Sequence, residues 1–125
     1  MTQHLALRTH TTPTGAVVEL SGELDHDTAP EARDMVSRLV LRPGGQLVLD
    51  LGGLTFCDST GISILNVARN HALAADAAIA LAAVPDHLDR ILRNVGLDRV
   101  FANHRTSQDA EDAWQKLLRL TRQAA

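Results

Sequence analysis

Aromatic residues are nearly missing from this chain: Phe56, Phe101 and Trp114 are all it has, and there is no tyrosine. The core must therefore be aliphatic, built from Leu, Val, Ile and Ala, and the stacking platforms that hold single-stranded nucleic acid are excluded. Cysteine is almost as scarce. Cys57 alone cannot form an internal disulfide or a multi-cysteine zinc site, and it suits a reducing compartment. There is no excess of positive charge either: twelve basic residues, scattered along the chain, stand against fifteen acidic ones, for a net charge of −3. No electrostatic footprint for DNA or RNA results, and no nucleic-acid partner is expected. Long hydrophobic runs are also lacking. The longest, Ala77 to Val84, falls far short of the ~20 residues that span a bilayer, and "MTQHLALRTH" has neither the basic start nor the apolar stretch of a signal peptide. A cytoplasmic protein with no membrane partner is the expectation. Lysine is reduced to Lys116 against eleven arginines, which together with abundant alanine is the coding bias of a GC-rich genome.

What is present is a 125-residue chain with 45% apolar and 22% charged residues, the balance of one globular domain that buries its own core. Leu5 to Arg8 reads as a first strand, Pro13, Thr14 and Gly15 as a turn, and Val17, Val18 and Leu20 as the second strand of a hairpin. In "GELDHDTAPEARDMVSRLV" a loop becomes a helix, with Thr28 as cap, Pro30 in the first turn, and Ala32, Met35, Val36, Leu39 and Val40 on one apolar face. Pro43, Gly44 and Gly45 stop it, and "QLVLDL" follows as a covered central strand.

A helix from Ser59 to about His71 comes next, then a buried strand in "AAIALAAV". Pro85 opens a third helix, with Leu88, Ile91, Leu92 and Val95 on its apolar face and Gly96 at its left-handed end. "RVF" reads as a short last strand. Thr106 and Ser107 cap a fourth helix carrying Ala110, Ala113, Trp114, Leu117 and Leu118 on one face. The order β-β-α-β-α-β-α-β-α predicts an α/β fold: a mixed sheet of four to five strands, largely parallel, packed with four helices. The whole chain, 1–125, reads as a single domain with its core in about 5–118, and 119–125 are expected to fray.

The chemistry concentrates in "LTFCDSTGISIL", Leu54 to Leu65, where Asp58, Ser59 and Thr60 stand together at a helix start although one side-chain oxygen suffices to cap it. Such a group serves as a cap, a catalytic dyad, a ligand cradle or a modification site. On a helical wheel Gly61, Ile64, Leu65, Ala68 and Ala72 share the packed face, so Ser59 points away from the core with Ile62, Ser63 and Asn66 on its side. A nucleophilic Ser59 finds little support. The G-x-S-x-G elbow is missing, and His26 and His71, the nearest thinkable bases, carry no signature. Asp25, His26 and Asp27 are adjacent loop residues that point in different directions, and no second ligand group has metal spacing, so neither a metal nor a cofactor is expected. Cys57 reads as a small buried hydrophobe rather than a reactive thiol.

Two segments taken together carry a family resemblance. "SGELDHDTAP", followed some thirty residues later by "LVLDLGGLTFCDSTGISIL", resembles the STAS domain of bacterial anti-sigma factor antagonists, and "VGLDRVF" is similar to that family's late segment. The resemblance implies a non-catalytic protein whose unphosphorylated form binds an anti-sigma factor serine kinase with a Bergerat-type ATP site and so releases a sigma factor. It implies that Ser59 is the phosphorylated residue and that a PP2C-type serine phosphatase restores the binding form. It also implies that Asp25 and His26 lie beside the site and touch the partner, that Asp58 organises the loop, that Thr60 is the local cap, and that Gly61 allows close approach. The partner surface expected is thus Asp25, His26 and Asp58 to Ser63, with Asn66, on a monomer or weak dimer. A kinase-independent STAS scaffold or small-ligand sensor is the alternative. The turn in "AADAAIAL" lacks the glycines common at that place in the family.

Overall fold

The structure, a computed structural model, describes residues 4–124. The elements are β1 (Leu5–Thr12), β2 (Gly15–Leu24), α1 (Ala29–Ser37), β3 (Gln46–Cys57), α2 (Ser59–Ala74), β4 (Ala78–Ala82), α3 (Asp86–Asn94), β5 (Ala102–His104) and α4 (Ser107–Ala124), with a short 3-10 turn at Leu97–Arg99. The strands form one sheet in the order β1-β2-β3-β4-β5. β1 runs antiparallel to β2 and every other pair is parallel, which is the mixed α/β sheet expected.

Sequential strand order has a consequence for the layers. Right-handed crossovers that always step in the same direction must put their helices on the same face. α1, α2 and α3 accordingly cover one face, where Leu47, Leu49 and Leu51 of β3 meet Val36, Ile64, Leu65, Leu88 and Leu92 in the main aliphatic core. The other face is left to α4. There the contact is made by smaller residues, with Ala110 against Val17, Val48, Ala80 and Ala82. Alternation along β3 serves both layers, which is why its run is nearly continuous in apolar residues.

Several element ends differ from the expectation. α1 stops at Ser37, so Val40 leaves the helical face and stands 89% exposed. The N–H groups of Arg38 and Leu39 reach back only three residues, to the carbonyls of Met35 and Val36, a tightening that ends the helix before Val40. Val95 is likewise outside α3 and exposed, because Gly96 at φ 80° turns the chain away directly after it. That turn continues as the 3-10 segment, so "RVF" is not the last strand: Phe101 is a buried anchor and β5 begins at Ala102. Among the described residues of α4 only Ala110 is fully buried, whereas Ala113 and Leu117 are exposed. α4 extends to Ala124, and Ala125 lies outside the described residues. In the glycine-poor turn after α2, Asp76 itself takes the left-handed conformation at φ 57°, which aspartate tolerates better than most residues.

Candidate functional site

Parallel pairing of β2 with β3 brings their C-terminal ends to the same edge of the sheet, with Leu24 opposite Cys57. The loop after β2 and the start of α2 therefore meet, although they are some thirty residues apart in sequence. Register shifts at Glu19/Ser21 and Gly22/Glu23 bend the end of β2 before it enters that loop. Asp58 is the junction. One carboxylate oxygen accepts from the Gly61 N–H at 2.9 Å and caps α2, and the other accepts from the His26 N–H at 3.3 Å. Asp58, and not Thr60, is thus the cap: its backbone is extended, and the helix begins one residue later at Ser59. A cap of this kind contributes ~0.5–2 kcal/mol.

The 25–28 loop is held from within. The Asp25 carboxylate accepts from the Asp27 and Thr28 N–H groups at 3.0 and 3.1 Å. The Thr28 hydroxyl donates to the Glu23 carbonyl at 2.8 Å and accepts from the Asp25 N–H at 3.0 Å. Thr28 sits at the cap position of α1 without capping it by its side chain, and its buried hydroxyl locks the loop instead. Sequence reading missed this role, since a threonine before a helix signals a cap and nothing local shows that its oxygen turns backwards.

Ser59 is exposed on the first residue of α2, and among the described residues no protein group binds its hydroxyl. The positive end of the helix dipole favours an anion there by ~0.3–1 kcal/mol, while Asp58 next to it repels one. Thr60, Ser63 and Asn66 are half-buried, and the Ser63 hydroxyl donates to the Thr60 carbonyl. The buried face of α2 is Gly61, Ile64, Leu65, Ala68 and Ala72, the face the helical wheel assigned. Gly61, expected on the partner surface, lies on this buried face. It lies so close to β2 that a Cβ would stand 2.4 Å from the Leu24 carbonyl oxygen and 2.7 Å from Cys57 Sγ. Its contribution is to seat the helix.

Ile62 is not fully exposed, as the wheel suggested, but half-buried against the edge of the main core. Ile62→Asp is accordingly expected to lower the melting temperature while keeping a cooperative transition, and to weaken partner binding by on the order of 1–3 kcal/mol. Complete unfolding in circular dichroism would instead make Ile62 a core residue. Phe56, two residues before Asp58, is 48% exposed and was not singled out from sequence, because an aromatic residue in a strand is ordinarily read as core.

Of the two histidines considered as bases, His26 reaches this edge through its backbone N–H on Asp58. His71 lies twelve residues along α2, ~18 Å by helical rise, with Nε2 2.7 Å from the Leu39 carbonyl. The Cys57 thiol is pushed up to about 12, first by burial and then by the charge of Asp58, so it stays protonated. Among the described residues no group of three or more His, Cys, Asp or Glu is placed to hold a metal, and no helix is long and apolar enough to cross a membrane.

The class so defined is a singly wound α/β domain that presents a free serine hydroxyl at a helix start, braced by a carboxylate shared with the neighbouring loop. Residues 7–102 match the family described as Mlab, STAS domain. The chain belongs to the STAS domain family. It is similar to the structure of an anti-sigma factor antagonist from Mycobacterium paratuberculosis, at 27% identity and a TM-score of 0.79 over 90% of this chain and 95% of that one. SpoIIAA, also described as an anti-sigma factor antagonist, shares the fold in its unphosphorylated form, at 19% identity and a TM-score of 0.74 over 89% of this chain and 97% of that one. So does SpoIIAA of Bacillus in the phosphorylated form, at 20% identity and a TM-score of 0.65 over 86% and 98%. A sulfate transporter family protein from Wolinella succinogenes is similar too, at 15% identity and a TM-score of 0.73 over 88% and 92%.

Proposed function

We propose that this chain is an anti-sigma factor antagonist: its unphosphorylated form binds an anti-sigma factor serine kinase and releases the sigma factor, and phosphorylation of Ser59 switches it off. The observation that carries the reading is the state of Ser59, exposed and unbonded while its neighbour Asp58 does the capping. A side chain the fold does not need is free to be modified without cost to the fold. The similarity to the mycobacterial antagonist supports the general role. The existence of SpoIIAA in unphosphorylated and phosphorylated forms on the same fold supports a switch of this kind. The protein acts by binding, with no catalytic activity of its own, and a PP2C-type phosphatase resets it.

Phosphate is expected on Ser59 alone when the chain is incubated with ATP and the Bergerat-type serine kinase encoded in its own genome. Thr60, half-buried, with its carbonyl held by Ser63, should stay unmodified. Peptide mapping by mass spectrometry reads the outcome, and phosphate on Thr60 with none on Ser59 would overturn the assignment.

A further inference from the structure

The turn between β1 and β2, the loop that enters β3 and one side of α4 enclose a cavity of ≈ 590 Å³, within the ~300–1,000 Å³ of small-molecule sites. It lies at the N-terminal ends of β2 and β3, whereas Ser59 stands past their C-terminal ends, roughly 30 Å away by strand rise. Its walls are tied down. The Gly44 N–H donates to the Asp76 carbonyl at 3.0 Å, the Ala78 N–H to the Gly45 carbonyl at 2.8 Å, and the Trp114 indole N–H to the Gly44 carbonyl at 3.1 Å. A dent between a turn and a loop is ordinary, but this one is lined by groups that lack a partner. Among the described residues two buried side-chain oxygens have no hydrogen bond, Thr14 Oγ1 and Gln46 Oε1, and both residues line this cavity. They adjoin each other, since the Gln46 N–H donates to the Thr14 carbonyl at 2.7 Å, and Gln46 is 5% exposed. A polar side chain buried to that extent is ordinarily paired.

We propose that this cavity binds a small hydroxy acid, its carboxylate on Arg42, its hydroxyl donating to Gln46 Oε1, and its alkyl chain over Val40, Leu41 and Leu118. Among the described residues Arg42 is the one charged side chain in the lining and takes part in no ion pair, so the charge of the site calls for an anion. A guanidinium holds a carboxylate by two parallel hydrogen bonds. Gln46 Oε1 is an acceptor and selects a ligand that brings a donor. An ammonium group would set a positive charge beside Arg42, which leaves a hydroxyl. The oxygen is shielded from solvent, so the hydroxyl is met by a turn of the Gln46 amide into the cavity. Val40, 89% exposed at the rim, and the half-buried Leu41 and Leu118 supply the apolar wall. A bare inorganic anion would use Arg42 and leave both the unpaired oxygen and these side chains without a role. No contact involves Ser59, so the inference stands apart from the function proposed for it.

Titration of the isotope-labelled full chain with racemic β-hydroxyoctanoate, followed by amide chemical shifts, tests this. Shifts are expected in residues 11–15 and 40–46 and in the Gln46 side-chain amide, with Ser59 and its neighbours unmoved. Octanoate, which lacks the hydroxyl, and methyl β-hydroxyoctanoate, which lacks the charge, should each bind about tenfold more weakly or worse, the loss for one polar group left unpaired. Arg42→Ala, at an exposed position, should keep the parent melting temperature and erase the preference for the acid over its methyl ester. The comparison of octanoate with β-hydroxyoctanoate on the parent chain decides the hydroxyl contact without a variant of the buried Gln46. No shift up to about 10 mM, where even a millimolar site fills, overturns the proposal. Shifts centred elsewhere, equal affinity for the three compounds, or an Arg42→Ala chain that still prefers the acid overturn it equally.

Discussion

Phosphate on Ser59 is expected to weaken binding of the partner kinase by roughly a hundredfold, near 2.7 kcal/mol, which is what turns a mostly bound complex into a mostly free one. Stability should not follow. Among the described residues the hydroxyl makes no hydrogen bond, and Asp58 holds the cap, so Ser59→Ala should melt within about 0.5 kcal/mol of the parent, as surface substitutions do. That variant should bind the kinase persistently, since it cannot be modified. Ser59→Asp should fold equally well, because a negative charge at the first turn lies at the favourable end of the dipole. It should bind less well than the parent, yet better than the phosphoserine form, because one carboxylate carries less charge and bulk than the about −1.5 to −2 of a phosphate. The affinity loss arises where the partner would meet a phosphate beside the Asp58 carboxylate in place of a neutral hydroxyl. Titration calorimetry of the four forms, with thermal melts alongside, separates the two effects. Equal affinities for serine, alanine and phosphoserine would mean that Ser59 is no switch, and the kinase-independent scaffold would become the leading reading.

The buried face of α2 was legible in the sequence; that of α4 was legible only at Ala110, and several element ends were not. The wheel over Gly61 to Ala72 predicts the buried side of α2 residue for residue, because a 3.6-residue period survives any small error in where the helix starts. The same periodicity carries Leu39 and Val40 past the true end of α1, since an apolar pattern does not record where backbone hydrogen bonds stop. Cap identity failed for a related reason. Asp58, Ser59 and Thr60 are all good caps by composition, and which one caps depends on the residue at which the backbone leaves the extended region. The contact between Asp58 and His26 spans thirty-two residues and exists only through the parallel register of β2 on β3. No local pattern encodes that register, so Asp25 and His26 entered through the family resemblance, and the bracing through Asp58 came from the structure.

Gly61→Ala is expected to destabilise the chain by about 1–3 kcal/mol, the cost of forcing one extra carbon into a filled space. Two atoms stand in the way, and they predict different remedies. The Leu24 carbonyl oxygen, 2.4 Å from the new Cβ, belongs to backbone that accepts the Asp58 N–H at 3.3 Å and closes the end of β2. Cys57 Sγ, at 2.7 Å, is a side-chain atom that substitution can remove. If the carbonyl is the limit, α2 must shift outwards as a body. The bonds from Asp58 to the Gly61 and His26 N–H groups then loosen together, and the site loses its bracing along with its stability. The double variant Gly61→Ala with Cys57→Ala should therefore recover little of the loss, while Cys57→Ala alone should cost less than Gly61→Ala. Thermal melts of the three variants decide the matter, at roughly 3–6 °C per kcal/mol for a chain of this length. Recovery of the parent melting temperature by the double variant would identify the thiol as the limiting neighbour. It would also show that the end of β2 has room to yield, in which case partner binding by Gly61→Ala should survive wherever the protein is folded.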